Sequence, residues 1–246
     1  MGRSDLQRSG TACNPYRMTD TAHFTPATFA FLRELGANND RAWFQANKQR
    51  YERDVRDPAL RFIADFGPHL ERISKRFRAD PRPVGGSLFR IHRDTRFSRD
   101  KRPYKTHAGI HFRHEQAKDA HAPGFYLHLE PDSVFVGVGI WHPDAPALRK
   151  IRDAIVKSPA GWKRVVGGEP FRTRFALSGD TLQRPPAGYA KDHPLVDDLK
   201  RKDFAALCRL DEETATADGF TARFTEICAE GAPFARFLCK AVEVPF

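Results

Sequence analysis

Alternating apolar and polar residues in four successive short stretches, helical spacing before and after them, and one two-residue connection predict an α+β fold. The expected architecture is an antiparallel sheet with helices packed on one face, the other face staying open and polar and forming a pocket. The stretches are 87–92, 107–115, 124–130 and 133–140, and Pro131-Asp132 joins the last two. A connection that short joins antiparallel neighbours.

Taken in order, Thr25-Pro26 reads as a helix cap followed by proline at the first helical position, with Gly36 closing that helix. A second helix is expected near Asn39, presenting Trp43, Phe44, Asn47 and Tyr51. Asp57-Pro58 repeats the cap-then-proline signal, and Phe62, Ile63, Phe66, Leu70, Ile73 and Phe77 recur at helical spacing after it.

The period then changes to two. Phe89 and Ile91, then Ala108, Ile110 and Phe112, then Phe125, Leu127 and Leu129, then Val134, Val136, Val138 and Ile140 are expected to face the core. A tight turn at Pro131-Asp132 sets the register of the last pair: His128 opposite Phe135, Tyr126 opposite Gly137, Gly124 opposite Gly139. Asp144 caps a helix over 145–157, Ser158-Pro159 starts another, turns fill 170–200, and a strand at 202–209 and a helix through 218–241 finish the chain. Residues 24–244 read as a single α+β domain. Residues 1–23, polar and small, read as a disordered tail in which Met18 is an alternative start.

With 40% hydrophobic residues and 20 Phe among 246, the chain can build a sizeable core. Its net charge of +10 favours anionic partners. Cys13, Cys208, Cys228 and Cys239 form no C-x-x-C pair and no disulfide framework, which suits reduced thiols in a cytoplasmic protein. No apolar run reaches the roughly 20 residues that span a bilayer, so no membrane partner is expected.

Parity puts an unusual set on the face away from the core: Arg90 and His92, then His107, His111 and Arg113, then Tyr126, His128 and Glu130. Seven of the ten histidines (His92, His107, His111, His114, His121, His128 and His142) fall in this half-sheet region, and parity excludes His114 from the polar face. Gly124 opposite Gly139 predicts a hollow beside Tyr126. Just past the first stretch, the segment 87–105 carries seven cations: Arg90, Arg93, Arg96, Arg99, Lys101, Arg102 and Lys105. Only Asp94 and Asp100 lie nearby to pair with them. Arginine's planar fork suits phosphate or carboxylate, so Arg90, Arg93 and Arg96 are expected to hold a small anion with Lys101 assisting. His92 and the Tyr104 rim would complete its surroundings. Asp94 would orient the arginines or act as a base, with Tyr126 and His128 as the floor and the other catalytic candidates. The competing structural reading is that Arg90, Arg93 and Arg96 brace the fold through Asp94, Glu130 and backbone carbonyls.

The run RIHRDTRFSRDKRPYKTH, with Arg90, Arg93, Asp94, Arg96, Phe97, Lys101 and Tyr104, resembles the signature of the domain of unknown function 2461 family. So do GFYLHLEPDSVFVGVGIWHPD at 124–144, PPAGYAKDHPLVDDLKRKDF at 185–204 and FTPATFAFLRELGANNDRAWFQANKQRYE at 24–52. Val138 departs from the glycine run expected there, which bears on the shape of the hollow. The resemblance implies one compact domain from bacteria or fungi and no established reaction. It also nominates the 189–194 loop, with Tyr189 and His193, as partner of the arginine cluster.

Other chemistries have weaker support. His107 and His111 would lie about 13 Å apart along a strand, too far to share a metal. His128 with His92 or His107 could do so, with Glu130 or Asp94 as carboxylate. There is no helical H-E-x-x-H and no cysteine pair, so no cofactor or metal is expected, and metal-dependent hydrolysis stays an alternative. Nucleophile elbows, P-loops and dinucleotide glycine patterns are absent from the sequence. Nucleic-acid binding is the rival from another class, with Tyr126, Phe135 and Trp141 stacking bases on a basic sheet.

Overall fold

A computed structural model describes residues 21–116 and 122–246. The greater part of the expected tail, including Met18 and Cys13, and His121 lie outside the described residues. Helix α1 (Pro26–Ala37) begins as the sequence indicates, but Gly36 lies within it and Asn38 closes it, its N–H donating to Glu34 O. Helices α2 (Arg41–Ala46) and α3 (Lys48–Tyr51) follow. Asp57-Pro58 does not start a separate helix. The chain passes from α3 through one π-helical turn (Glu52–Arg56) straight into α4 (Asp57–Ile73). Proline has no N–H to give the carbonyl four residues back. That carbonyl, Asp54 O, instead accepts a 2.7 Å hydrogen bond from the fully buried hydroxyl of Thr28.

Strands β1 (Ala108–Arg113), β2 (Gly124–Leu129) and β3 (Val134–Ile140) come next, then helices α5 (Ala145–Lys157), α6 (Pro159–Gly167) and α7 (Phe171–Arg174). Strand β4 (Ala176–Ser178), helix α8 (Val196–Leu199), strand β5 (Phe204–Leu210), helix α9 (Glu212–Thr216) and helix α10 (Phe220–Ala241) complete the chain. Among the described residues the strands make one five-stranded sheet in the order β1-β2-β3-β5-β4, every pair antiparallel. Strand β4 lies where the sequence indicates only turns, because three residues between turn signals carry no measurable period. The β2–β3 register is the one expected, with His128 opposite Phe135, Tyr126 opposite Gly137 and Gly124 opposite Gly139.

One face of the sheet makes the core with α4 and α10. Phe66 of α4 meets Phe112 of β1 and Phe224 of α10, each at 4.7 Å between ring centres. Gly231 lets α10 settle on β3, where a Cβ would lie 3.1 Å from Val138. The Val138 departure therefore falls on the core side and leaves the polar face untouched. His114 is buried, its Nε2 bonded to Pro245 O, in keeping with its exclusion from the polar face. Among the described residues, no helix is long and apolar enough to cross a membrane.

The first alternating stretch is corrected. Residues 87–92 make only isolated pairings, Leu88 with Ile110 and His92 with Tyr104. Leu88 and Ile91, three apart, are the buried pair, while Phe89 swings to the polar face, its ring 5.9 Å from His111 and 6.1 Å from Tyr126. Lacking a continuous ladder, the segment is free of strict alternation, and the parity expected for it fails at Phe89.

Candidate functional site

On the polar face, glycines of one strand seat rings from the next. A Cβ on Gly109 would lie 2.5 Å from the Tyr126 hydroxyl, and one on Gly124 would lie 2.3 Å from Nε2 of His111. The hollow expected over Gly124 and Gly139 is thus filled by imidazole. Gly139 serves the backbone instead: it has φ +119°, and a Cβ there would strike Phe204 O.

The polar groups converge one step along the strands. Gly109 pairs with His128, so the same register places His107, just ahead of β1, opposite Glu130, just past β2. The donor atoms of His107, His128 and Glu130 lie within 4.8 Å of one another. His128 Nε2 is 3.2 Å from Glu130 Oε2, and its Nδ1 is 2.9 Å from the Tyr126 hydroxyl. Thr106 Oγ1 donates to the other Glu130 oxygen at 2.6 Å. The His128 ring lies flat on Phe135, 4.5 Å between centres with an 11° interplanar angle. Every polar atom of His128 and Glu130 is thereby fixed, which is what holds both side chains in single orientations.

Burial sets the charge states. It pushes His107 down to about 4, helped by His128, Lys105 and Arg93 and opposed by Glu130. His111 falls to about 4 through burial and the Arg113 charge, and His128 also falls by burial against the pull of Glu130. Burial alone would raise Glu130, but the hydrogen bonds from Thr106 and His128 outweigh it and bring its carboxyl below the usual range. Burial pushes the Tyr126 phenol up, with Glu130 adding to it. At neutral pH this shelf presents neutral imidazoles, an ionised carboxylate and a protonated phenol. The described cysteines offer no poised thiolate: all are buried, and burial pushes Cys239 up to about 12.

The arginine run takes another form. Arg93 N–H bonds to Pro103 O and Lys105 N–H to Ile91 O, making a loop closed at its root. Two aspartates hold three of the arginines: Asp94 takes Arg96 at 2.7 Å, and Asp100 takes Arg93 at 2.6 Å and Arg102 at 2.8 Å. Lys101 donates to Thr95 O. Arg93 and Arg96 thus carry the bracing contacts, within the loop. Asp94 orients Arg96, and the hydrogen bonds from Arg96 hold its carboxyl down at about 2, which leaves it a weak base. Tyr104 is corrected as a rim residue. It is 2% exposed, stacked 4.1 Å from Phe44 and clamped through its backbone by Asn39. His92 is exposed and packs its ring edge against Phe44 and Tyr104.

The 189–194 loop goes elsewhere. The Tyr189 hydroxyl bonds Asp153 of α5 at 2.7 Å, and His193 Nδ1 accepts from Leu195 N–H within its own turn. Among the described residues, neither makes a hydrogen bond to the arginine loop. Lys105 and Thr106 stand outside the site expected from sequence, and His107 and Glu130 enter it only as alternative metal ligands beside His128. Parity alone put His107 and Glu130 on the right face, but the connection between β1 and β2 is too long to fix their register.

The fold and this shelf define an α+β protein whose antiparallel sheet is covered by helices on one face and carries histidines, a tyrosine and a glutamate on the other. The chain belongs to the family described as conserved hypothetical protein (DUF2461), whose model matches residues 27–237. No curated protein and no solved structure matches it.

Proposed function

We propose that the protein binds a small phosphate- or carboxylate-bearing molecule at the edge of the shelf, held by Lys105 and Arg90. The observation that carries this reading is a pair of neighbouring cations with no direct ion pair, Arg90 acting on Asp94 only through space. Among the described residues neither makes an ion pair, although three nearby arginines do. Lys105 is half-buried, its amine 5.2 Å above the Phe89 ring, and burial followed by the Arg90 charge pushes its pKa down. Two like charges left together in a partly desolvated place repel one another, and a bound anion turns that cost into attraction. The charges of Lys105 and Arg93 also reach His107, so the anion would sit beside the imidazoles. Stacking of nucleic-acid bases has less support, because Phe135 already gives its face to His128 and Tyr126 lies over Gly109.

Thermal denaturation with orthophosphate or simple carboxylates tests this. At 100 times its dissociation constant an anion adds about 2.7 kcal/mol. Lys105→Met and Arg90→Ala should abolish that gain while leaving the ligand-free melting temperature near normal. Undiminished stabilisation in both variants overturns the assignment. Affinity that falls with salt as steeply as many phosphate contacts require would point to nucleic acid instead.

A further inference from the structure

We propose that His107, His128 and Glu130 form a binding site for one first-row divalent transition metal ion, with Tyr126 and Thr106 as the groups that orient its ligands. Two neutral imidazoles and one carboxylate are the donor set that zinc and iron(II) sites use when they keep positions open for water or substrate.

The geometry is nearly that of a bound site. Donors around a tetrahedral ion at about 2.1 Å stand about 3.4 Å from one another. His128 Nε2 and Glu130 Oε2 are already 3.2 Å apart. One donor atom from each of the three residues lies within 4.8 Å of the other two, so His107 need close in by only about an ångström, which a small rotation of its half-buried side chain supplies.

The supporting shell is what distinguishes this trio from a chance hydrogen bond. With Nε2 given to the metal, His128 must carry its proton on Nδ1. The group 2.9 Å from Nδ1 is the Tyr126 hydroxyl, which can accept as readily as it donates. Thr106 binds the Glu130 oxygen that faces away from His128 and so leaves Oε2 free to ligate. Phe135 fixes the plane of the His128 ring. Ligating histidines and carboxylates are oriented by such partners in general. The other polar-face histidine, His111, lies over Gly124 instead and stays outside the set.

The site does not depend on the anion reading. Metal binding can hold with Lys105 and Arg90 idle, and anions can bind there without a metal. If both are right, an anion held by Lys105 would lie close enough to His107 to reach the metal.

Untagged protein stripped with chelator and titrated with zinc, then with cobalt(II), measures this directly by stoichiometry and by the cobalt absorption spectrum. The expected result is one ion per chain and a cobalt spectrum showing nitrogen and oxygen ligation. Glu130→Gln and His107→Gln should each abolish it, and His111→Gln and His92→Ala should retain it. Tyr126→Phe should weaken affinity 10- to 100-fold without changing stoichiometry. Because Glu130 and His107 are partly exposed, their variants remain testable even if a change at buried His128 impairs folding. Retention of the ion in both variants, its loss in His92→Ala, or no binding by the unaltered chain at micromolar metal overturns the proposal. Phosphate-induced stabilisation of the stripped protein, measured alongside, reports the anion site separately.

Discussion

The arginine loop at 91–105 and the histidine shelf beside it make opposite use of charge. In the loop, opposite charges lie within a few residues in exposed or partly exposed positions, and they satisfy one another. Asp100 alone accepts from Arg93 and Arg102. On the shelf, groups from two strands are buried together, so desolvation governs the imidazoles and the phenol, while hydrogen bonds govern Glu130. His107 and His111 are both driven down to about 4. Chemistry needs groups whose protonation and orientation differ from those in water, and the shelf has them. The louder sequence signal is the loop, but the perturbed chemistry belongs to the shelf.

The sharpest way to break that contrast is acid. The folded pKa of His111 lies below the ordinary 6.5, so the unfolded chain takes up a proton first as pH falls. Its contribution is therefore complete above about pH 6.5, is lost progressively down to about pH 4, and is constant below that. The loss amounts to about 3 kcal/mol for His111. Urea denaturation from pH 7 to 4.5 should show this fall, and His111→Gln should flatten the curve by one proton. A stability that stays level across that window would mean the shelf is as well solvated as the loop.

A smaller effect is expected from Gly124→Ala. The added Cβ would lie 2.3 Å from His111 Nε2, and the buried ring has to leave its seat. The cost should be about 2 kcal/mol, as for other overpacked interiors, read as a lower urea midpoint with an unchanged slope. No loss would show that the imidazole is free to move and that the glycines of this face do not position its rings.

How far the sequence could see differs between the same two regions. The β2–β3 pairing was legible because a two-residue turn leaves one register, and it correctly places Tyr126 and His128 on the polar face. The meeting of His107 with Glu130 was not, since 114–123 can close over many registers. Phe89 misled because Leu88 and Ile91 face the core three residues apart, a spacing that the period of a strand does not allow. Tyr104 read as polar and surface-exposed within its basic run, yet the chain there folds back to stack it on Phe44. The arginines were overcounted as free because one aspartate can take two forks, which residue counting does not anticipate. The family, by contrast, was legible from four separated stretches, and the match over 27–237 bears it out.

The smallest expected effect sharpens the contrast most. Asp100 accepts from Arg93 Nη1 at 2.6 Å, from the Arg102 side chain at 2.8 Å and from the Arg102 N–H at 3.0 Å, and these hold its carboxyl well below the usual range. Arg102 is open to solvent and Arg93 and Asp100 are partly so, and screening there removes much of an ion pair's worth. Asp100→Asn should therefore leave the melting temperature unchanged at physiological salt. It should also release Arg93, whose charge already reaches His107, toward the shelf. Binding of phosphate would then tighten a few-fold, because a third unpaired cation joins Lys105 and Arg90. A marked drop in melting temperature would show instead that the loop's ion pairs hold the fold together. Unchanged melting with tighter phosphate binding means that the loop keeps Arg93 away from a site the shelf provides.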